Sequence, residues 1–432
     1  MNRRLIRFLS TFAFGALYSL YAAGLLLVWF IAHHFIETPS WRLATSIVSD
    51  LVWLPLGMVV WAEGLRWAAS PFLRGRRRVQ VVVFVLAYAV SACGHLLWPE
   101  PAFKLLLLPM LAAVVKPGLR WRRSPARSRW LIRYLPVAVV FVATLLYYGW
   151  QLVPNGGGAR PGDLKVMTYN ILADANPARE EQALACIKQE APDVLCCQEY
   201  SPRFDESYFA RELAMLYPYR AVCNIPANRL WSGGAIYSRY PLQQFVPSGW
   251  DTVSGGNREF VFAELQLGHR TINIVNFHLL NCSSEIDGIK ERGGNPFVAL
   301  RHSGGADSRF SRVQYRQALF LVGRLNRFRD STILCGDLND TPNSTVFHTF
   351  GSKTVNAFSR KGWGLGATFG AEYLHERFEP EGGSWTARLV RDVLRIDHIF
   401  VTPGLEVVSA RVVGDAPGSD HKPLVAVVRV GE

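Results

Sequence analysis

Residues able to do chemistry recur where apolar runs end: Asn170 in MTYNIL, Glu199 in DVLCCQEY, His278 in VNFHLL, Asp337 and Asn339 in CGDLND, Asp397 in RIDHIF, and Asp420 with His421 in GSDHKP. An apolar, strand-like run before each places these side chains at the mouth of a sheet. Taken singly, each has an ordinary reading: Asp337 and Asn339 as a turn, Glu199 as a helix cap, His278 as a hydrogen-bonded core histidine. Six such strand ends that together supply carboxylates, carboxamides and imidazoles are not explained as turns. The set suits phosphoester hydrolysis, in which the anionic phosphate repels a nucleophile until a hard cation and positioned donors offset its charge. Mg²⁺ takes oxygen ligands, commonly one or two carboxylates plus water, and Glu199 is the best direct ligand. Asp337 suits the orientation of an attacking water. His278 and His421 suit protonation of the leaving oxygen or binding of the phosphate.

The elements that must hold these residues can be read around them. Leu164–Ile171 is a strand candidate. Asn176 and Pro177 then supply an N-cap and a first-turn proline, with Glu180 and Glu181 favourable at a helix N-terminus and Ala183, Leu184 and Ile187 on its apolar face. Further strands are expected at Asp193–Gln198, Gly234–Ser238, Phe260–Leu267, Thr271–His278, Thr332–Gly336, Arg395–Val401 and Leu424–Val430. A helix near Arg312–Phe328 follows the 3.6-residue period through Val313, Leu321, Val322, Leu325 and Phe328. Strands outnumber helices, so two packed β-sheets flanked by helices, an α/β sandwich, fit best. No internal repeat or heptad is present. Of the cysteines, Cys196, Cys197 and Cys335 lie in apolar strands and suit core packing, and none shows zinc-ligand spacing.

Charge divides the chain of 432 residues, whose net charge is +13. Residues 1–150 hold 17 Lys/Arg and 4 Asp/Glu, which accounts for all +13; the remaining 30 Lys/Arg and 30 Asp/Glu balance. The basic pI therefore gives no argument for nucleic acid as a partner of the second part. The first part holds apolar runs at about Thr11–Ala32, Leu51–Ala62, Val79–Trp98, Ala102–Val115 and Leu135–Trp150, against the ~20 residues that span a bilayer as a helix. Arginine clusters precede the first run and follow the second and fourth; the other connections, near His33–Trp41 and Trp98–Pro101, are almost free of basic residues. Basic loops stay cytoplasmic, and all three clusters fall on one side only if five spans cross. The expectation is an N-terminal α-helical transmembrane bundle over 1–153, a flexible linker PNGGGARPGD over 154–163, and a catalytic domain over 164–432. The N-terminus is then cytoplasmic and the catalytic domain extracytoplasmic. Asp50 reads as the end of a span, and anchoring in the lipid bilayer is the bundle's expected role.

TYNIL, QE, NFHL, GDLND, RIDHIF and SDHKP, in this order, resemble the motif series of the endonuclease/exonuclease/phosphatase superfamily, the deoxyribonuclease-I-like hydrolases, over about Lys165–Arg429. The resemblance implies a four-layer α/β sandwich and a Mg²⁺- or Mn²⁺-dependent attack of water on phosphorus. It implies Glu199 as principal metal ligand, with Asn170 beside it and Asp420 helping to hold the ion. Asp337 would activate or orient the water, Asn339 would position the phosphate, and His278 would contact the scissile phosphate or leaving group. His421 would face the phosphate, its tautomer fixed by Asp397. SGGAIYSRYPL at Ser232–Leu242 matches a family strand, and Arg258 and Thr368 match a phosphate-binding arginine and a family threonine more weakly. No counterpart exists of the aromatic insertions that abasic-site endonucleases push into DNA. His398 stands where tyrosine is common. The polar, glycine-rich segment Asn281–Ser311 reads equally as a surface loop and as a substrate-recognition loop.

Three readings follow: a membrane-anchored phosphodiesterase or phosphatase acting on a lipid headgroup or small phosphoester, an extracytoplasmic nuclease acting on DNA or RNA, and a catalytically silent binding module. The first is favoured by the intact motifs and the balanced charge. No protein partner is called for.

Overall fold

In the computed structural model of the protein, the described residues are 149–172, 177–200, 208–223, 233–246, 260–280, 309–325, 328, 331–342, 344–369, 394–414 and 418–431. The expected spans up to residue 148, Arg258 and most of the segment 281–311 lie outside them. Among the described residues no helix is long and apolar enough to cross a membrane.

The first strand, β1 (Leu164–Asn170), is followed by helix α1 (Pro177–Glu190) and a parallel strand β2 (Val194–Tyr200). Helix α2 (Tyr208–Leu216) leads into β3 (Tyr219–Val222) and β4 (Gly233–Ser238). A run of antiparallel strands, β5 (Leu242–Phe245), β6 (Val261–Leu267) and β7 (Arg270–His278), precedes α3 (Arg309–Leu325), which crosses to β8 (Thr332–Asp337), parallel to β7. Helix α4 (Thr345–Gly351), β9 (Val355–Asn356), α5 (Ala357–Lys361), β10 (Asp397–Val401), β11 (Leu405–Val412) and β12 (Leu424–Val430) complete the described elements. One sheet has the order β11-β12-β1-β2-β4-β3 and the other β5-β6-β7-β8-β10-β9. Each is mixed, with its parallel pair near the middle and a helix in the crossover, as parallel pairing requires.

Three apolar clusters define the layers. Val166, Cys196, Ile236, Ile274, Cys335, Ile399 and Ala426 interlock between the two sheets. Met167, Tyr169, Leu195 and Cys197 turn from the first sheet to meet Leu184 and Ile187 of α1 and Leu213 of α2. Val275, Phe277, Leu334 and Phe400 turn from the second sheet to meet Leu321 of α3 and Phe347 and Phe350 of α4. Strands buried on both faces read as continuous apolar runs, which is why VLCC and TILC stand out in the sequence. The described cysteines, Cys186, Cys196, Cys197, Cys223 and Cys335, are buried free thiols, as core packing predicts.

Several elements were not legible. β3 and β5 are short, half-exposed edges whose polar residues hide the alternation. β11 is irregular between Val407 and Ser409, which breaks the period of two. Helix α3 begins and ends three residues earlier than the apolar period indicates.

The stretch expected as a flexible linker, 154–163, is hydrogen-bonded to the sandwich. Gly149–Leu152 form a 3-10 turn that buries Gln151 and Leu152. Gln151 accepts from Arg395 Nη1 at 3.1 Å through Oε1 and from Gly364 N at 2.9 Å through its carbonyl. Farther along, Gly157 N donates to Val408 O at 2.7 Å, and Asp163 takes a two-pronged pair from Arg429 Nε and Nη2 at 2.9 and 3.0 Å. A Cβ at Gly156 or Gly157 would come within 3.3 Å of Ser409 or Val408, so the glycines serve close approach to β11 as well as turning.

Candidate active site

The two parallel pairs deliver their C-terminal residues to one end of the sandwich. β1 ends on Asn170 and β2 reaches Glu199; β7 ends on His278 and β8 on Asp337, with His278 opposite Asp337 in register. β10 runs the other way and begins at this end, with Asp397 opposite Asp337. The turn into β12 adds Asp420 and His421. All eight residues of the motif series therefore meet at one mouth, and only Arg258 lies outside the described residues.

Local backbone irregularities aim the side chains. Between Cys197 and Tyr200, β2 slips against β4, so that Gln198 and Glu199 together oppose one residue, Gly234. Such a bulge redirects a side chain and is common beside active sites. Glu199 takes a left-handed φ of 53° there, and Asn339 one of 51°; non-glycine residues adopt this region at a cost that the surrounding structure must offset. Asn339 is held by its own N–H on Asp337 Oδ1 at 2.7 Å and by Nδ2 on Leu279 O at 2.9 Å. Gly336 has a φ of 152°, and a Cβ there would fall onto the Phe277 carbonyl, which explains the glycine in GDLND.

One amide joins the two sheets at the centre. Asn170 Nδ2 lies 3.0 Å from Glu199 Oε1 and 3.2 Å from Asp337 Oδ2, and 3.4 Å from His421 Nε2. His278 Nε2 is 3.5 Å and His421 Nε2 3.8 Å from the same Asp337 oxygen. His421 Nδ1 donates to Asp397 Oδ2 at 2.8 Å, which fixes Nε2 toward the centre. Burial would discharge His421, but Asp397 and then Asp337 outweigh it and hold its pKa well above the ordinary range. Burial, reinforced by Asp397, pushes Asp337 up to about 6, and burial likewise raises Glu199. Asp337, Asp397, His278 and His421 are buried, whereas Glu199, Asn339 and Asp420 are half-buried and line the mouth.

The donor set fits a hard divalent cation. Carboxylates of Glu199, Asp337, Asp397 and Asp420 converge on two imidazoles, an oxygen-rich donor set of the kind a hard cation takes. Asp337, Asp397 and His421 each place one ligand atom within 4.8 Å of the others. Asp397 and His421 are, however, already bonded to each other, so Glu199 and Asp420 at the mouth are the freer oxygen donors. Asn170 donates to Glu199 and Asp337, and its Oδ1 accepts from Leu172 N at 3.2 Å.

Supporting residues were underread in the sequence. Thr368 Oγ1 accepts from Ile396 N and Asp397 N, both at 3.1 Å, its carbonyl accepts from Lys422 N at 2.6 Å, and the adjacent Phe369 ring lies 4.8 Å from that of His421. Thr368 thereby ties the Asp397 strand to the His421 turn. Ser419 Oγ donates to Asn170 O at 2.7 Å. Beneath the site, Gln198 Nε2 donates to Asn276 Oδ1 at 2.6 Å and to Thr168 Oγ1 at 3.0 Å, and Asn276 Nδ2 donates to Cys197 O at 2.7 Å and Ala235 O at 3.1 Å. The available signal was a carboxamide inside the apolar runs CCQ and IVN. His398 is a core residue: burial lowers its pKa to about 3, and Nε2 lies 3.2 Å from Asp340 O.

The chain was then compared with known proteins. Residues 167–421 match the profile of the Endonuclease/Exonuclease/phosphatase family. No curated protein sequence matches. Among solved structures, truncated Caenorhabditis elegans TDP2 is similar at 15% identity and a TM-score of 0.43, over 63% of this chain and 99% of that one. An endonuclease/exonuclease/phosphatase from Beutenbergia cavernae shares 21% identity at a TM-score of 0.40, over 62% and 72%. The human Nocturnin catalytic domain shares 16% at 0.40, over 65% and 97%. The matched profile spans more than half of the chain and includes every motif residue from Asn170 to His421, so this chain belongs to the Endonuclease/Exonuclease/phosphatase family of phosphoester hydrolases.

Proposed function

We propose that the protein is a membrane-anchored, divalent-metal-dependent phosphoester hydrolase whose substrate is a lipid headgroup or small phosphoester. The observation that carries this reading is the single Asn170 amide joining Glu199 and Asp337 beside a charged His421. That arrangement supplies an oxygen ligand, a water-orienting base and an acid within one hydrogen-bonded unit. Glu199, with Asp420 and Asn170 beside it, would hold Mg²⁺ or Mn²⁺, which when bound offsets phosphate charge. Asp337, ionised, orients the attacking water in line with the leaving oxygen. His421, kept protonated by Asp397, donates Nε2–H to a phosphate oxygen as charge develops there. His278 contacts the phosphate or leaving group, and Asn339 positions it.

The N-terminal charge pattern supports anchoring with an extracytoplasmic catalytic domain, and the balanced charge of 151–432 argues against a nucleic-acid groove. The test compares kcat/KM of the purified full chain on phospholipid vesicles, glycerophosphodiesters, single-stranded oligonucleotides and plasmid, with and without chelator. Turnover of lipid or small substrates that chelation abolishes is expected. Plasmid nicking with steep salt dependence and no turnover of the others would establish a nuclease, and full activity in excess chelator would exclude the metal.

A further inference from the structure

The last apolar run of the N-terminal part, Leu135–Trp150, ends one residue before the catalytic domain begins to bury the chain. Gln151 is already bonded to Arg395, which stands two residues before Asp397. From there the chain runs down the edge of the sandwich, past Val408 of β11, to Asp163 beside Arg429 near the end of β12. β1 then returns from Leu164, opposite Val428, to Asn170 at the site. The chain thus enters the domain at its catalytic end and descends to the opposite end before the first strand begins. If the apolar run spans a bilayer, no free tether separates it from the site.

The surface around this entry has the composition of a lipid–water boundary. Trp150, Trp363 and Val153 are 54%, 42% and 40% exposed. The bond from Gly364 N to Gln151 O brings Trp363 and Trp150, each one residue away, to the same rim. The Arg360 guanidinium lies 5.8 Å over the Trp150 ring, and Lys361 Nζ donates to Asn155 O at 3.3 Å. Tryptophan concentrates at bilayer boundaries, where its ring meets both apolar chains and polar headgroups. Basic side chains beside it keep their charge among the headgroup phosphates.

We infer that the rim formed by Trp150, Val153, Trp363 and Arg360 lies in the headgroup layer, so that the catalytic mouth faces the bilayer and takes the phosphoester of a membrane-embedded amphiphile. This rests on the anchored-hydrolase reading and narrows its substrate. A freely diffusing phosphoester would gain nothing from a mouth pressed to the membrane, whereas an amphiphile presents its headgroup there without leaving the bilayer.

The test uses the full chain in vesicles of phosphatidylcholine and phosphatidylglycerol, with Cys93 and Cys282 replaced by serine. An environment-sensitive fluorophore is placed on Trp363→Cys or, separately, on Glu406→Cys, at the opposite end beside Arg429. Brominated phospholipids are expected to quench the probe at 363 and to spare the probe at 406, with or without chelator. Equal quenching at both positions, or none at 363, overturns the orientation. In a second arm, Trp150→Ser/Trp363→Ser should lower kcat/KM on long-chain phospholipid vesicles by about ten-fold or more while keeping turnover of a short-chain, monomeric phosphoester within about two-fold. Equal losses on both substrates overturn the boundary role. Quenching of the probe on Trp363→Cys, together with a wild-type chain that turns over no phosphoester, upholds the orientation and refutes the hydrolase reading, so the two failures are distinguishable.

Discussion

In the proposed mechanism the chemistry turns on Asp337, which lies at the centre of the site: Asn170 and Asn339 bond it, His278 and His421 face one of its oxygens, and Asp397 opposes it in register. Its carboxyl must lose a proton to orient water, and burial holds that proton on to about pH 6. A bound cation would pull the value down, so kcat/KM should fall as pH drops through about 6 or somewhat below. His421 is shifted upward as well, because Asp397 and Asp337 outweigh its burial: its acid form persists above the ordinary 6.5, so the alkaline limb should lie above neutrality. Asp337→Asn removes the ionising group while keeping its shape, and should lower kcat by about 10²–10⁴-fold and erase the acidic limb. A pH–rate profile of the folded variant checks this; an unchanged acidic limb would assign it to another group.

At the scale of elements, β8 must pass so close to β7 that position 336 tolerates no side chain. Its φ of 152° lies in a region left almost wholly to glycine, and a Cβ would meet the Phe277 carbonyl. Gly336→Ala should therefore destabilise the domain by about 3 kcal/mol or more, read as a fall in melting temperature. A loss below about 1 kcal/mol would mean the two strands separate easily. The bulge in β2 depends equally on its supports. Asn276 donates to Cys197 O and Ala235 O, the carbonyls flanking the bulge. Asn276→Leu leaves these buried acceptors unpaired at about 1–3 kcal/mol each and should weaken metal binding by letting Glu199 drift. Tight metal binding in a folded Asn276→Leu protein would show that the bulge holds itself.

For the whole molecule, the decisive contrast is between the +13 of residues 1–150 and the neutral remainder. The alternation of basic loops expects the catalytic domain outside the cytoplasm. A cysteine introduced at exposed Arg160 should react with an impermeant maleimide in intact cells. Labelling only after permeabilisation would reverse the topology and place the site on the cytoplasmic face. The docked entry segment gives this experiment structural meaning, because Asp163 and Arg429 tie position 160 to the domain, so that it reports the domain's own side of the membrane.

The sequence by itself singled out the residues that meet at the mouth and the strands that present them. GDLND, SDH, QE and NFH each interrupt an apolar run with a polar group that a core would not accept unpaired, and the two-sheet sandwich follows from strands outnumbering helices. What it left undecided is set by contacts between distant segments. The register slip that turns Glu199 outward arises from β4, more than thirty residues on. The amide of Asn170 meets Asp337 across 167 positions. A glycine-rich stretch read as a tether becomes a strap because β11, some 250 residues later, offers it a carbonyl at Val408. Local propensity records what a segment prefers alone, and it holds no information about which partner the folded chain will bring to it. The tertiary structure decided those meetings, and with them the direction in which the site opens.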